Sequence, residues 1–120
     1  MNASLYERLG GTEGIGSIID DIMARHLANP LIKTRFENIA DLEHAKKMAV
    51  EFFAAGAGGP VQYTGRDMRT AHRGMNISEQ EYLAVTDDIM GALAKHNIDE
   101  ATRKDVLAIL YALKGDIIRI

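Results

Sequence analysis

The sequence predicts an all-α single domain, and three observations carry that prediction. Apolar residues recur at spacings of three and four in the longer segments, the period of one helix face. A residue able to cap a helix, Thr12, Asp41, Ser78 or Asp99, stands before each of them. No alternating run or hairpin turn announces a strand; the closing "DIIRI" is β-branched enough to extend, but it is one segment without a partner.

The elements follow in order. A short helix, "ASLYERL", stops at Gly10-Gly11, where glycine takes the left-handed conformation that ends a helix. Thr12 caps a second helix, 12 to 28, with Ile15, Ile18, Ile19, Ile22, Met23 and Leu27 on one stripe. Asn29-Pro30 ends it, because proline cannot continue the ladder. "LIKTRF" makes one turn that carries Phe36 to its end.

Asp41 caps a helix over 42 to 55. Leu42, Ala45, Ala49, Phe52 and Phe53 mark one face and Met48 lies on its edge. "GAGGP" (56 to 60) breaks this helix, 61 to 66 is loop, and 67 to 73 is a short helix. "SEQE" at 78 to 81 is a capping box, Ser78 capping and Glu81 reaching back, for a helix to about His96. Asp99 opens the last helix, with Val106, Leu107, Ile109, Leu110, Tyr111, Leu113 and Ile117. The connections between strong helices are longer than compact bundles use, which suggests that something besides side chains fills the middle.

Composition narrows the function. The 120 residues suit one domain, 1–120, with one core. The formal charge of −3, without a run of Lys or Arg, argues against a nucleic-acid partner. No window approaches the ~18 apolar residues of a membrane span, and "MNASLYERLGG" lacks the pattern of a signal peptide. With no cysteine, disulfides, thiolate metal sites and thioether haem attachment are excluded, and a cytoplasmic location is expected.

Four histidines are the candidate ligands and bases. His26 and His96 sit near helix ends, where a cationic ring complements the dipole. His44 lies off the apolar line of its helix and reads as a half-exposed surface residue. His72 differs: it closes a very short helix in "GRDMRTAHRGMNIS", between Met68 and Met75. Its plain reading is a satisfied buried histidine. Structural zinc lacks the other three ligands, no HExxH or EF-hand spacing occurs, no nucleophile elbow supports a Ser–His–Asp triad, and no strand precedes "GGTEGIG" for a dinucleotide site. Porphyrin iron needs only one protein nitrogen in an apolar slot, since the macrocycle supplies four.

At these motifs the chain resembles the truncated haemoglobins of group I. The resemblance runs over about residues 4 to 117 and rests on "LYERLGG", Phe36, "VEFFAAGAGGP", "YTGRDM" and "AH" at His72, in that order. It implies a two-over-two helical sandwich with a short proximal helix, holding non-covalent haem b. His72 matches the proximal iron ligand and Phe36 the phenylalanine that stacks on the porphyrin. Tyr63 and Met68 match pocket positions, with Phe52, Phe53, Met75 and Tyr82 as pocket neighbours. Gly10-Gly11 and Gly58-Gly59 match two glycine pairs at which shortened helices turn.

On the distal side the sequence departs from the family. Met23 stands where many members have tyrosine, and Ala45 and Ala49 where glutamine is common, so the usual hydrogen bonds to bound oxygen are either absent or supplied by another residue. Met48 matches a position from which some relatives bind the iron; here it is either packing or a sixth ligand, with His44, Lys46 and Lys47 as further candidates. Lys46, Lys47 and Arg66 are either solvated or partners of the haem propionates. The expected function is reversible binding of oxygen, carbon monoxide or nitric oxide. The alternatives are nitric oxide dioxygenation, a redox or sensing role with Met48 on the iron and an external electron donor, and a haem-free interaction module. A monomer is expected, with a weak dimer as the alternative.

Overall fold

The computed structural model describes residues 3–120. The helices are α1 (Leu5–Arg8), α2 (Gly11–Ala28), α3 (Lys33–Glu37), α4 (Leu42–Gly56), α5 (Met68–His72), α6 (Glu79–Lys95) and α7 (Glu100–Leu113), with a closing 3-10 turn, Lys114–Asp116. α2 packs on α4 and on α6, and α6 packs on α7. The result is one pair, α2 with α4, packed on a second, α6 with α7.

The caps read from the sequence hold this frame, with one exception. The Asp41, Ser78 and Asp99 side chains accept from the backbone N–H groups of His44, Glu81 and Thr102. Thr12 is not a cap: α2 starts one residue earlier, with Gly10 at its N-cap in the left-handed region. The Tyr6 hydroxyl takes over the task, accepting from the Thr12 N–H at 3.0 Å and bonding its Oγ1 at 2.7 Å. A Cβ at Gly59 would run into the Tyr6 ring, so the second glycine pair also serves a close approach, that of the α4 end to α1.

The carboxyl end also corrects the sequence reading. "DIIRI" does have a partner, Asn76 and Ile77, just ahead of the Ser78 cap of α6. Ile118 bridges Ile77 in parallel, Arg119 N–H donates to the Ile77 carbonyl at 2.9 Å, and Asn76 N–H to that of Ile120 at 3.0 Å. This ties the segment after α5 to the end of α7. The pairing is one bridge long, too short to leave a periodic signal.

The core occupies one end of the sandwich. Leu9, Ile15, Ile18, Leu93 and Val106 are at most 5% exposed there. Each fully buried aliphatic side chain contributes roughly 1.5–3 kcal/mol. The space left between them is about 10 Å³.

Candidate functional site

The opposite end holds a cavity of about 990 Å³. α2 gives it Ile19, Ile22, Met23 and His26, one face at spacings of three and four. α4 gives Ala45, Met48, Ala49, Phe52 and Phe53. Phe36 comes from α3, Tyr63 from the loop after α4, Met68 and His72 from α5, and Met75 from the turn beyond. Tyr82 and Val85 of α6 and Leu110 of α7 form the floor. The structure therefore places every residue matched to the pocket on the wall of one cavity, and of the further candidates leaves out Lys46 and Lys47.

α5 is built to present His72. Asp67 caps it by accepting from the Thr70 N–H, and the helix stops after one turn because Gly74 turns the chain at φ +86°. His72 Nδ1 lies 2.8 Å from the Met68 carbonyl oxygen. A carbonyl can only accept, so Nδ1 carries the hydrogen, and the tautomer this selects for the neutral ring leaves the lone pair on Nε2. A metal-binding imidazole needs this tautomer, held by this kind of bond.

The aromatic wall is interlocked. Phe52 meets Phe53 and Tyr63 edge-on, at centroid distances of 6.3 and 5.3 Å. The Tyr63 hydroxyl donates to the Arg66 carbonyl at 2.5 Å, and burial raises its pKa. Tyr82 donates to the Leu110 carbonyl at 2.6 Å, and its pKa is also raised by burial. Both hydroxyls are thus spent on backbone and leave the cavity apolar.

Arg35 ties three elements together beside Phe36. Its guanidinium bonds Glu81 twice, Nε to Oε2 at 2.6 Å and Nη2 to Oε1 at 3.1 Å, and Nη1 donates to the Met75 carbonyl at 2.9 Å. Glu81 is also bonded by the Ser78 N–H. The Arg35 pair first, and that bond second, hold its carboxyl at about 2, against an ordinary 4.5. The sequence showed Glu81 only as a capping residue.

His26 is more than the dipole-complementing helix-end histidine that the sequence suggested. It is 4% exposed and lines the cavity, its ring stacked on Phe36 at 4.5 Å and 27°. Nδ1 bonds Asp88 Oδ2 at 2.8 Å, and Asn29 Nδ2 donates to both Asp88 oxygens at 3.3 Å. Burial lowers the imidazole pKa, against the raising effect of Asp88. One signal for this was in the sequence: His26 lies one turn beyond Met23 on the same face.

At the rim, His44 and Arg66 are exposed and line the cavity. Lys46 does not; its ammonium lies 3.3 Å from Asp20 and 3.8 Å from Glu43. Lys47 is exposed and away from the cavity wall. His96 caps the end of α6 and turns its Nε2 to Asp21 Oδ2 at 3.5 Å.

No group of three or more His, Cys, Asp or Glu among the described residues could hold a bare metal ion. A cavity this large and apolar, with an imidazole on its wall, suits a metal that brings its other ligands in a flat organic ring. Two crossed helix pairs around such a cavity, with the imidazole on a helix of five residues, define a two-over-two globin architecture.

Comparison with known proteins agrees. A family model described as "Bacterial-like globin" matches residues 4–119. The group 1 truncated hemoglobin of Mycolicibacterium paratuberculosis is 30% identical over 115 residues, covering 96% of this chain and 84% of that one. The truncated hemoglobin of Tetrahymena pyriformis in its Fe(III) form superposes with a TM-score of 0.93 at 24% identity, covering 98% and 100% of the two chains. The 2/2 hemoglobin of Synechococcus, with covalently attached heme, gives 0.88 at 24% identity, covering 97% and 98%. The chain belongs to the bacterial-like globin family, within its group 1 truncated hemoglobins, and that family implies haem-based binding of a diatomic gas.

Proposed function

We propose that this protein holds haem b without a covalent bond, on His72, and binds a diatomic gas on the opposite face. The observation that carries the reading is His72 itself: Nδ1 fixed on the Met68 carbonyl and Nε2 free on the cavity wall. Phe36 and Phe52 supply aromatic surface for the porphyrin, and His44 and Arg66 stand where its propionates would emerge. The haem supplies the iron and its redox chemistry; the chain orients it and keeps water from it. α7, "EATRKDVLAILYAL", has no histidine, and the chain no cysteine, so neither offers haem a covalent anchor.

Met23, Ala45, Met48 and Ala49 make the gas side apolar. A hydrogen bond to a charged acceptor contributes about 1.5–3 kcal/mol, and bound oxygen, which carries partial negative charge, would lack it here. Oxygen should leave fast, and nitric oxide dioxygenation, which needs oxygen held, is disfavoured. A second reading rests on Met48: its place on the wall between Ala45 and Ala49 suits a sixth ligand, which would turn the protein towards electron transfer or sensing. A monomer in the cytoplasm fits either reading, and among the described residues no helix is long and apolar enough to cross a membrane.

Titration of the chain with haem tests the proposal. A Soret band saturating at one haem per chain supports it, and haem that stays with the polypeptide after extraction in acidified organic solvent counts against the non-covalent part. The ferrous, gas-free spectrum separates the readings, broad bands for an open site and sharp split bands for Met48 on the iron.

A further inference from the structure

Gas binding does not explain His26. An aliphatic residue would complete the stripe of Ile15, Ile18, Ile22 and Met23 at less cost than a buried imidazole–carboxylate pair, whose desolvation is expensive. Nδ1 bonds the Asp88 carboxylate, which can only accept, so Nδ1 carries the hydrogen and in the neutral ring Nε2 is bare. The buried side-chain N and O atoms without a partner are, among the described residues, Asp21 Oδ2 and Arg25 Nε. His26 Nε2 is not among them, its hydrogen bond is made through Nδ1, and its ring lines the cavity. A base oriented by a carboxylate and facing a ligand cavity is an arrangement for moving protons.

We propose that His26 is the proton acceptor through which the ferric, haem-loaded protein captures a small weak acid HX, of the hydrogen cyanide or hydrogen sulfide kind. This rests on the haem reading above. The apolar wall admits the neutral acid, whereas its anion would lose several kcal/mol of hydration on entry. His26 Nε2 takes the proton, directly or through one water: the X–H bond breaks, an N–H bond forms, and the electron pair stays with X⁻, for which the ferric iron of a bound haem would be the acceptor. No electron changes owner. Asp88 stabilises the imidazolium and, 15% exposed, connects it to solvent.

The acceptor must be neutral at working pH, and the burial that lowers its pKa keeps it so. Asp41, His44, Arg66 and His72 share the cavity wall with it. Asp88 faces it from α6, Arg35 and Glu81 on α3 and α6 neutralise each other, and Arg25 turns to Asp21 at 3.4 Å. A bare Nε2 also cannot donate to bound oxygen, so His26 leaves fast oxygen release intact.

Stopped-flow binding of two probes to the haem-loaded protein tests this: cyanide, protonated at neutral pH, on the ferric form, and carbon monoxide, which has no proton to lose, on the ferrous form. His26→Gln retains a donor for Asp88 but has no base. It should slow cyanide association at least about tenfold and leave carbon monoxide unchanged. In the wild type the cyanide rate should fall as acid protonates His26, and the variant should lack that inflection. Unchanged cyanide binding, or equal slowing of both probes, overturns the proposal. If His26→Gln fails to retain haem, Asp88→Asn decides. It keeps the ring and its bond while removing the charge; it should slow cyanide alone, and sparing both probes overturns the proposal. Absence of a Soret band in the wild type would instead defeat the haem reading.

Discussion

The two ends of this molecule are made by the same helices and do opposite things. Where the early turns of α2 meet α6 and α7, Ile15 and Ile18 close against Leu93 and Val106 and leave about 10 Å³. Where the later turns of α2 face α4, about 990 Å³ stays open. Hydrophobicity does not separate them, since both walls are apolar. Side-chain size and chain punctuation do. α4 offers only alanine at positions 45 and 49 of its inner face, and α5 is stopped after one turn by Gly74, so neither fills the middle. A core and a binding site can thus share a helix and differ by a few methyl groups and one glycine.

That contrast can be broken first at the closed end. Leu93→Ala should cost about 2–5 kcal/mol of unfolding free energy, because a packed site cannot collapse around the deletion. Phe52→Ala, half-buried at the open end, should cost the haem-free chain less and appear instead as weaker haem retention. Denaturant titrations with and without haem measure both. Equal losses in the haem-free chain would mean that the ends are packed alike.

The next effect concerns what keeps the open end in shape. The Arg35–Glu81 pair should contribute about 1.5–3 kcal/mol, as hydrogen bonds between charged groups do. The Glu81 carboxyl is depressed from 4.5 to about 2, so this stability is present above pH 4.5 and is lost as pH falls towards 2. Glu81→Gln should lower stability at neutral pH and flatten that part of the acid limb. A variant with unchanged acid dependence would place the acid-sensitive group elsewhere.

The smallest effect on stability sharpens the gas side. Met48→Leu keeps volume and should cost under about 1.5 kcal/mol. If Met48 binds the iron, the ferrous spectrum turns from sharp to broad and apparent gas affinity rises, since no internal ligand has to leave. Identical spectra would make Met48 a packing residue.

The fold was legible in the sequence because local chemistry announces it: a capping box at Ser78, aspartates at 41 and 99, glycines where helices stop. His72 stood out for the same reason, framed by punctuation. What stayed hidden depends on partners distant along the chain. His26 reads as a helix-end residue until α6 brings Asp88 to it and α3 brings Phe36. Arg35 and Glu81 are 46 residues apart, and no local pattern pairs them. Thr12 has the composition of a cap, but a tyrosine hydroxyl does the work. The pairing of "DIIRI" with Ile77 is too short to have a period.

The most direct test is whether the haem iron hangs on one imidazole, that of His72. Substituting His72→Gly removes the ring and leaves room for a free one. The variant should lose most of its haem or show altered ligation, and added imidazole should restore the wild-type spectrum in haem-reconstituted protein. A wild-type Soret and visible spectrum in His72→Gly without added imidazole would contradict the assignment and put the axial ligand elsewhere on the cavity wall.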